Sequence, residues 1–193
     1  MEENNMLYHG SITPRINKIC ANSTLHGSDT KVVYLSDSFP YTLFYIWDSE
    51  QNIRQGKYVT AWIKDGIVFY EEQFKDQLRT FYKGVSGYVY CVDHDERFNP
   101  VHESESMWFS KNDSMVSKVK YIPDVYAEIM KYVNEGRVKV IYFEEVSEER
   151  IRHLYKRIKQ KIIENELLNN SDTEDARFYQ KFFSKAWRDA ERS

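Results

Sequence analysis

Few places in this 193-residue chain carry residues with the chemistry for a site, and the first is Leu7-Tyr8-His9-Gly10-Ser11. An imidazole followed by glycine sets a ring nitrogen for hydrogen bonding beside backbone that a ligand can approach closely. Read alone, His9 is an ordinary histidine at a strand end, bonded to a neighbouring carbonyl. The second place is Val33-Tyr34-Leu35-Ser36-Asp37, where a tyrosine interrupts an apolar run. By itself Tyr34 reads as core, with its hydroxyl satisfied at the rim. His94, within Asp93-His94-Asp95-Glu96, and His102, beside Glu103, are metal-binding types without helical spacing. They read as solvated loop, and no metal is expected. His26-Gly27 repeats the His-Gly pair in a loop that could line the same cleft as His9. Cys20 and Cys91 form no CxxC pattern and read as packed or indifferent thiols of a reducing compartment. There is no phosphate loop, no GxSxG elbow and no Cys-His motif.

Taken together, Tyr-His-Gly-Ser, then about two dozen residues, then Val-Tyr-Leu-Ser before a helix, resembles the opening of the ADP-ribosyltransferase superfamily in its His-Tyr-Glu branch. The chain also looks like a set of bacterial proteins that share this YHGS start, the YxLFYIWD helix and the IKDGIVFYEEQF hairpin. The superfamily resemblance implies an NAD site. His9 would hydrogen-bond a ribose hydroxyl, Gly10 would present backbone to the nicotinamide amide, Tyr34 would stack on the nicotinamide ring, and Ser36 would lie near the ribose. It also implies a carboxylate opening a later strand, which would stabilise positive charge as nicotinamide leaves. Glu105, in Glu103-Ser104-Glu105 before Met107-Trp108-Phe109, is the best placed, with Glu103 beside it and Glu71-Glu72 as the rival pair. On residue type alone Glu72 is a first-turn helix acid, and Glu103 and Glu105 are exposed loop residues. The implied activity is transfer of ADP-ribose from NAD to an acceptor that is protein, nucleic acid or small molecule. Two alternatives stay open: a non-catalytic binding or interaction module on the same fold, and RNA 2′-phosphotransfer, for which Arg15 and Lys31 are the basic residues at hand.

These residues need elements to hold them. Val32 to Leu35 reads as a buried strand, and Pro40 sits near the first turn of a helix over Phe39 to Asp48, capped by Asp37 or Ser38. Tyr58 to Lys64 and Ile67 to Glu71 flank Asp65-Gly66, the signature of a two-residue hairpin. Helical spacing runs over Gln73 to Lys83, closed by Gly84, and strands are expected at Gly87 to Val92, Met107 to Ser110 and Met115 to Ile122. Pro123-Asp124 opens a helix to about Asn134, and Arg137 to Phe143 alternates as the last strand. From Ser147 the pattern is helical, with Ile151, Leu154, Tyr155, Ile158 and Ile162 on one stripe. Ser171 with Glu174 reads as a capping box for a final helix bearing Tyr179, Phe182, Phe183, Ala186, Trp187 and Ala190 on one face. The expectation is therefore an α+β body over residues 1–146 and a helical C-terminal extension over 147–193. The resemblance makes the body an ADP-ribosyltransferase-like split mixed β-sheet with flanking helices.

Composition narrows the class further. Aromatics reach 16%, and 27 Lys and Arg against 30 acids give a net charge of −3, which excludes a generally basic nucleic-acid binder. The charge is uneven: residues 147–193 hold 11 cations against 9 acids, a net of +2, and the body is net −5. A basic amphipathic segment of this kind could touch RNA or an acidic surface, and a solvated face is the commoner reading. The apolar face of the final helix must dock on protein, either the body or a second copy in a homo-oligomer. No window approaches a membrane span and the first residues are no signal peptide, so a cytoplasmic protein without membrane contact is expected.

Overall fold

The computed structural model describes residues 5–25, 27–47, 60–102 and 104–192. The fold is α+β, with several antiparallel strand pairings and six α-helices among the described residues. Its largest sheet has the order β11-β7-β1-β4-β9-β8, all neighbours antiparallel, with β3 also on β4. These strands are β1 (Met6–Ser11), β3 (Ser23–Thr24), β4 (Lys31–Ser36), β7 (Gly87–Asp93), β8 (Asn99–Pro100), β9 (Met107–Ser110) and β11 (Lys118–Ile122). A separate sheet joins β12 (Val138–Ile141) parallel to β6 (Ile67–Glu71), which pairs antiparallel with β5 (Ala61–Lys64). A third, minimal pairing joins β10 (Ser114–Met115) to β2 (Lys18–Ile19). Mixed pairing is therefore confined to the small sheet.

Local chemistry accounts for the elements that formed as the sequence predicts. Asp65 and Gly66 take φ of 52° and 74°, the two positive values of a type I′ turn, and Lys64 faces Ile67 across the hairpin. Asp124 caps α3 (Val125–Asn134), its carboxylate accepting from the Ala127 amide at 2.9 Å. Ser147 does the same for α4 (Glu148–Glu164), accepting from the Arg150 amide.

Other elements depart from the pattern for identifiable reasons. The helix expected over Phe39 to Asp48 is α1 (Phe39–Thr42) followed by a 3₁₀ turn through Tyr45, with Ser38 as its cap residue; Asp48 lies outside the described residues. The first hairpin strand begins at Ala61, and Tyr58 also lies outside the described residues. Helix α2 (Gln77–Tyr82) starts four residues later than its periodicity, because Asp76 adopts a left-handed φ of 58° that helices exclude. The expected strand Met115 to Ile122 divides between β10 and β11, since Val116 bonds Asn17 while Ser117 bonds Cys91. The last helix is two: α5 (Glu174–Phe182) and α6 (Ser184–Glu191), broken at Phe183 (φ −129°, ψ 41°). Its cap is Thr173, whose side chain accepts from the Ala176 amide, and Ser171 instead receives a bond from Gln180 on its carbonyl.

The large sheet has a core on each face. On one side Leu7, Val33, Leu35, Tyr90, Val92 and Phe98 pack together. On the other, Val89 and Ile122 meet α1, α2, α3, the small sheet and all three C-terminal helices in one cluster. The final apolar face is thus buried within a single chain: Phe183, Ala186 and Ala190 are at most 3% exposed, and Phe74 stacks on Phe182 at 4.3 Å. No helix of the described residues is long and apolar enough to cross a membrane.

Candidate functional site

Strand β1 shares six register pairs with β7, from Met6↔Asp93 to Ser11↔Tyr88, but a single one with β4, Tyr8↔Ser36. Beyond that bridge the two strands part. A cavity of about 700 Å³ occupies the opening, a volume ordinary for a small-molecule site. Because side chains alternate along a strand, Tyr8, Gly10, Tyr34 and Ser36 reach it from one face of the sheet, while His9, Val33 and Leu35 reach it from the other. The cavity therefore passes between the strands and is lined from both faces.

His9, Gly10, Tyr34 and Ser36 all line this one cavity. His9 and Tyr34 lie on adjacent strands, as their order in the sequence predicts, although β1 continues two residues past His9. The His9 imidazole donates to the Tyr34 backbone, which favours the protonated ring, but burial outweighs that bond and lowers its pKa below the ordinary 6.5. At neutral pH the ring is neutral: one nitrogen donates to Tyr34 and the other is an acceptor, suited to a ligand hydroxyl. Gly10 has a structural reason of its own. A Cβ there would sit 2.2 Å from the Thr42 carbonyl oxygen, so only glycine lets α1 close on β1. Ser36 is buried, and its hydroxyl donates to the Ser106 carbonyl at 2.7 Å and accepts from the Ser38 amide at 3.1 Å. Its proton is committed to tying β4 to the turn before β9 and to the start of α1.

The sequence does not single out the aromatic wall. Tyr41, Tyr45 and Trp47 line the cavity, with Tyr41 and Tyr45 rings 5.4 Å apart at 71°. The Tyr45 hydroxyl donates to Tyr41 at 2.9 Å, and burial holds its pKa far above the usual phenol range. Their density in Tyr-Thr-Leu-Phe-Tyr-Ile-Trp is the only signal in the sequence, and it reads equally as core. Cys20 also lines the cavity, as an exposed thiol. The rim is pinned by Tyr90, whose hydroxyl donates to the Thr13 carbonyl at 2.6 Å.

The carboxylates lie elsewhere. Glu105 is exposed in the turn before β9; Met107, two residues on, lines the cavity, and Glu105 does not. Glu103 and His26 lie outside the described residues. Glu71 pairs with Arg150 at 2.8 Å. Glu72 is buried, accepting from the Leu78 amide at 2.9 Å and the Phe143 amide at 3.2 Å, so it holds elements together and does not line this cavity. Among the described residues no Asp, Glu, Lys or Arg lines the opening. His94 packs edge-on against Trp108, 4.3 Å between ring centres, while His102 is exposed. No group of three or more potential metal ligands occurs among the described residues. Comparison of the chain with protein-family models, curated proteins and solved structures finds no match.

Proposed function

We propose that the cavity between β1 and β4 binds NAD through its nicotinamide riboside half, and that the protein transfers ADP-ribose to an acceptor. The observation that carries this reading is the convergence of His9, Gly10, Tyr34 and Ser36 on one cavity between parted strands. Tyr34 stacks on the nicotinamide ring, and the free nitrogen of neutral His9 accepts from a ribose hydroxyl. The neutral aromatic lining suits an uncharged nicotinamide leaving group, and the pyrophosphate is left to solvent. In the transfer the bond from ribose C1′ to the pyridinium nitrogen breaks and its electron pair leaves with nicotinamide. The acceptor's lone pair then forms the new bond to C1′ and its proton passes to solvent. Glu105, on the turn leading into Met107, is the carboxylate available to stabilise the intervening cation. The neutral lining among the described residues speaks against RNA 2′-phosphotransfer, which requires cations at the phosphate.

A second reading rests on a specific observation. Since no carboxylate of the described residues lines the cavity, the same site serves a module that binds NAD without cleaving it. Calorimetric titration with NAD, paired with an assay of nicotinamide release, separates the two. Tyr34→Ala is expected to weaken binding about fivefold, the worth of roughly 1 kcal/mol of stacking. Glu105→Gln is expected to leave binding intact and abolish release, because its contribution grows only as charge develops. Binding without release identifies the module, and absence of binding in the parent protein overturns both readings.

A further inference from the structure

Between Arg150 and Lys161 helix α4 carries six cations and no acid. Three of them, Arg152, Lys156 and Lys159, fall at i, i+4 and i+7 and so share one face. Helix α6 packs beside α4, and Lys185 and Asp189 on it, with Arg192 just past its end, repeat the same spacing. The two faces border a common groove of about 390 Å³ that holds these five cations, the single acid Asp189 and Tyr155, with Lys185 lying 5.8 Å from the Tyr155 ring centre. Five cations gathered against one acid make this groove a local excess of positive charge in a chain that is net −3. A bound polyanion neutralises that excess.

We infer that this groove binds the phosphodiester backbone of nucleic acid, without reading bases. The α4 row offers a cation at intervals of roughly one turn over about 10 Å, and across the groove Lys185 and Arg192 flank Asp189 about two turns apart, so the α4 side matches a linear repeat of negative charges. A membrane surface would require apolar side chains beside the cations. Here Ile158, Ile162, Ala186 and Trp187 are turned into the core, and Ile163 alone among the large apolar side chains of α4 is exposed, too little for insertion. A protein partner would require an aromatic or aliphatic centre depleted in lysine, whereas three of the five cations are lysines and Tyr155 is the one apolar body. The contact is independent of the NAD cavity.

The test is fluorescence anisotropy with a labelled single-stranded RNA of mixed sequence. The parent protein is expected to bind at 50 mM salt and to lose about twentyfold in affinity by 200 mM, the slope for roughly three phosphates on a single strand. Lys156→Glu with Lys185→Glu, one exposed residue from each side of the groove, is expected to lose at least tenfold. Arg157→Glu with Arg188→Glu makes the same charge change at exposed positions outside the groove and is expected to bind within about threefold of the parent. Equal losses in both double variants would show a non-local charge effect and overturn the proposal, as would no binding by the parent at 50 mM salt. Capture on anionic lipid vesicles without RNA binding overturns it too. Retained RNA binding by Tyr34→Ala keeps this result distinct from the fate of the NAD reading, and a thermal melt of each variant confirms its fold.

Discussion

At His9 two influences act on one proton. Burial favours the neutral ring, the bond to the Tyr34 backbone favours the charged one, and burial prevails. The folded state therefore takes up a proton at lower pH than the unfolded chain, whose imidazole titrates near 6.5. The linked stability is complete above that value and is lost as pH falls through the lowered pKa. Denaturant unfolding from pH 8 to pH 5 is expected to show this decline, and His9→Gln, which keeps a donor for Tyr34, is expected to flatten it. At Gly10, by contrast, replacement by alanine does not report on a ligand alone, since the Thr42 carbonyl already forbids a side chain. The positions of His9 and Tyr34 were legible because motif order fixed which strands carry them. The close approach at Gly10 was not, because it depends on where α1 lands. The choice of Glu105 over Glu72 rests on its place before β9 alone, since the exposure of the one and the burial of the other are decided only in the folded chain.

Among the elements, the hairpin at Asp65-Gly66 and helix α3 were readable from local chemistry, since a turn and a cap are settled within four residues. Helix lengths were less so. The apolar spacing of Gln73 to Lys83 continues through Asp76, whose left-handed backbone delays α2 to Gln77. What replaces the missing turn is Glu72, which accepts from Leu78 in α2 and from Phe143 beyond β12 and so ties two segments distant in sequence. Glu72→Ala would leave both amides without that acceptor. The expected cost is about 3 kcal/mol, read as a lower denaturant midpoint, with faster hydrogen exchange at Leu78 and Phe143. A variant as stable as the parent would show that water replaces the carboxylate without loss.

On the scale of the whole molecule, the aromatic excess visible in composition becomes a shared core. Phe74, of the body, meets Phe178, Phe182 and Phe183 of the C-terminal helices at 6.4, 4.3 and 5.6 Å. Periodicity showed that the last helix must bury a face but not against what, because the contacts join residues about a hundred positions apart. Phe183→Ala is expected to destabilise by about 3–5 kcal/mol in chemical denaturation. Tryptophan fluorescence and far-ultraviolet dichroism are expected to report one transition, since body and helices lose the same contacts. The large sheet is less unified than that core. Six pairs lace β1 to β7 and four lace β4 to β9, yet one pair joins β1 to β4. In mechanical language these are two stiff leaves on one backbone pin with the His9–Tyr34 bond beside it: turning one against the other strains that bridge and that bond, and the remaining resistance comes from side chains packed on either side. Such a seam yields gradually instead of in register steps, so the leaves can close on a guest while every strand keeps its own partner.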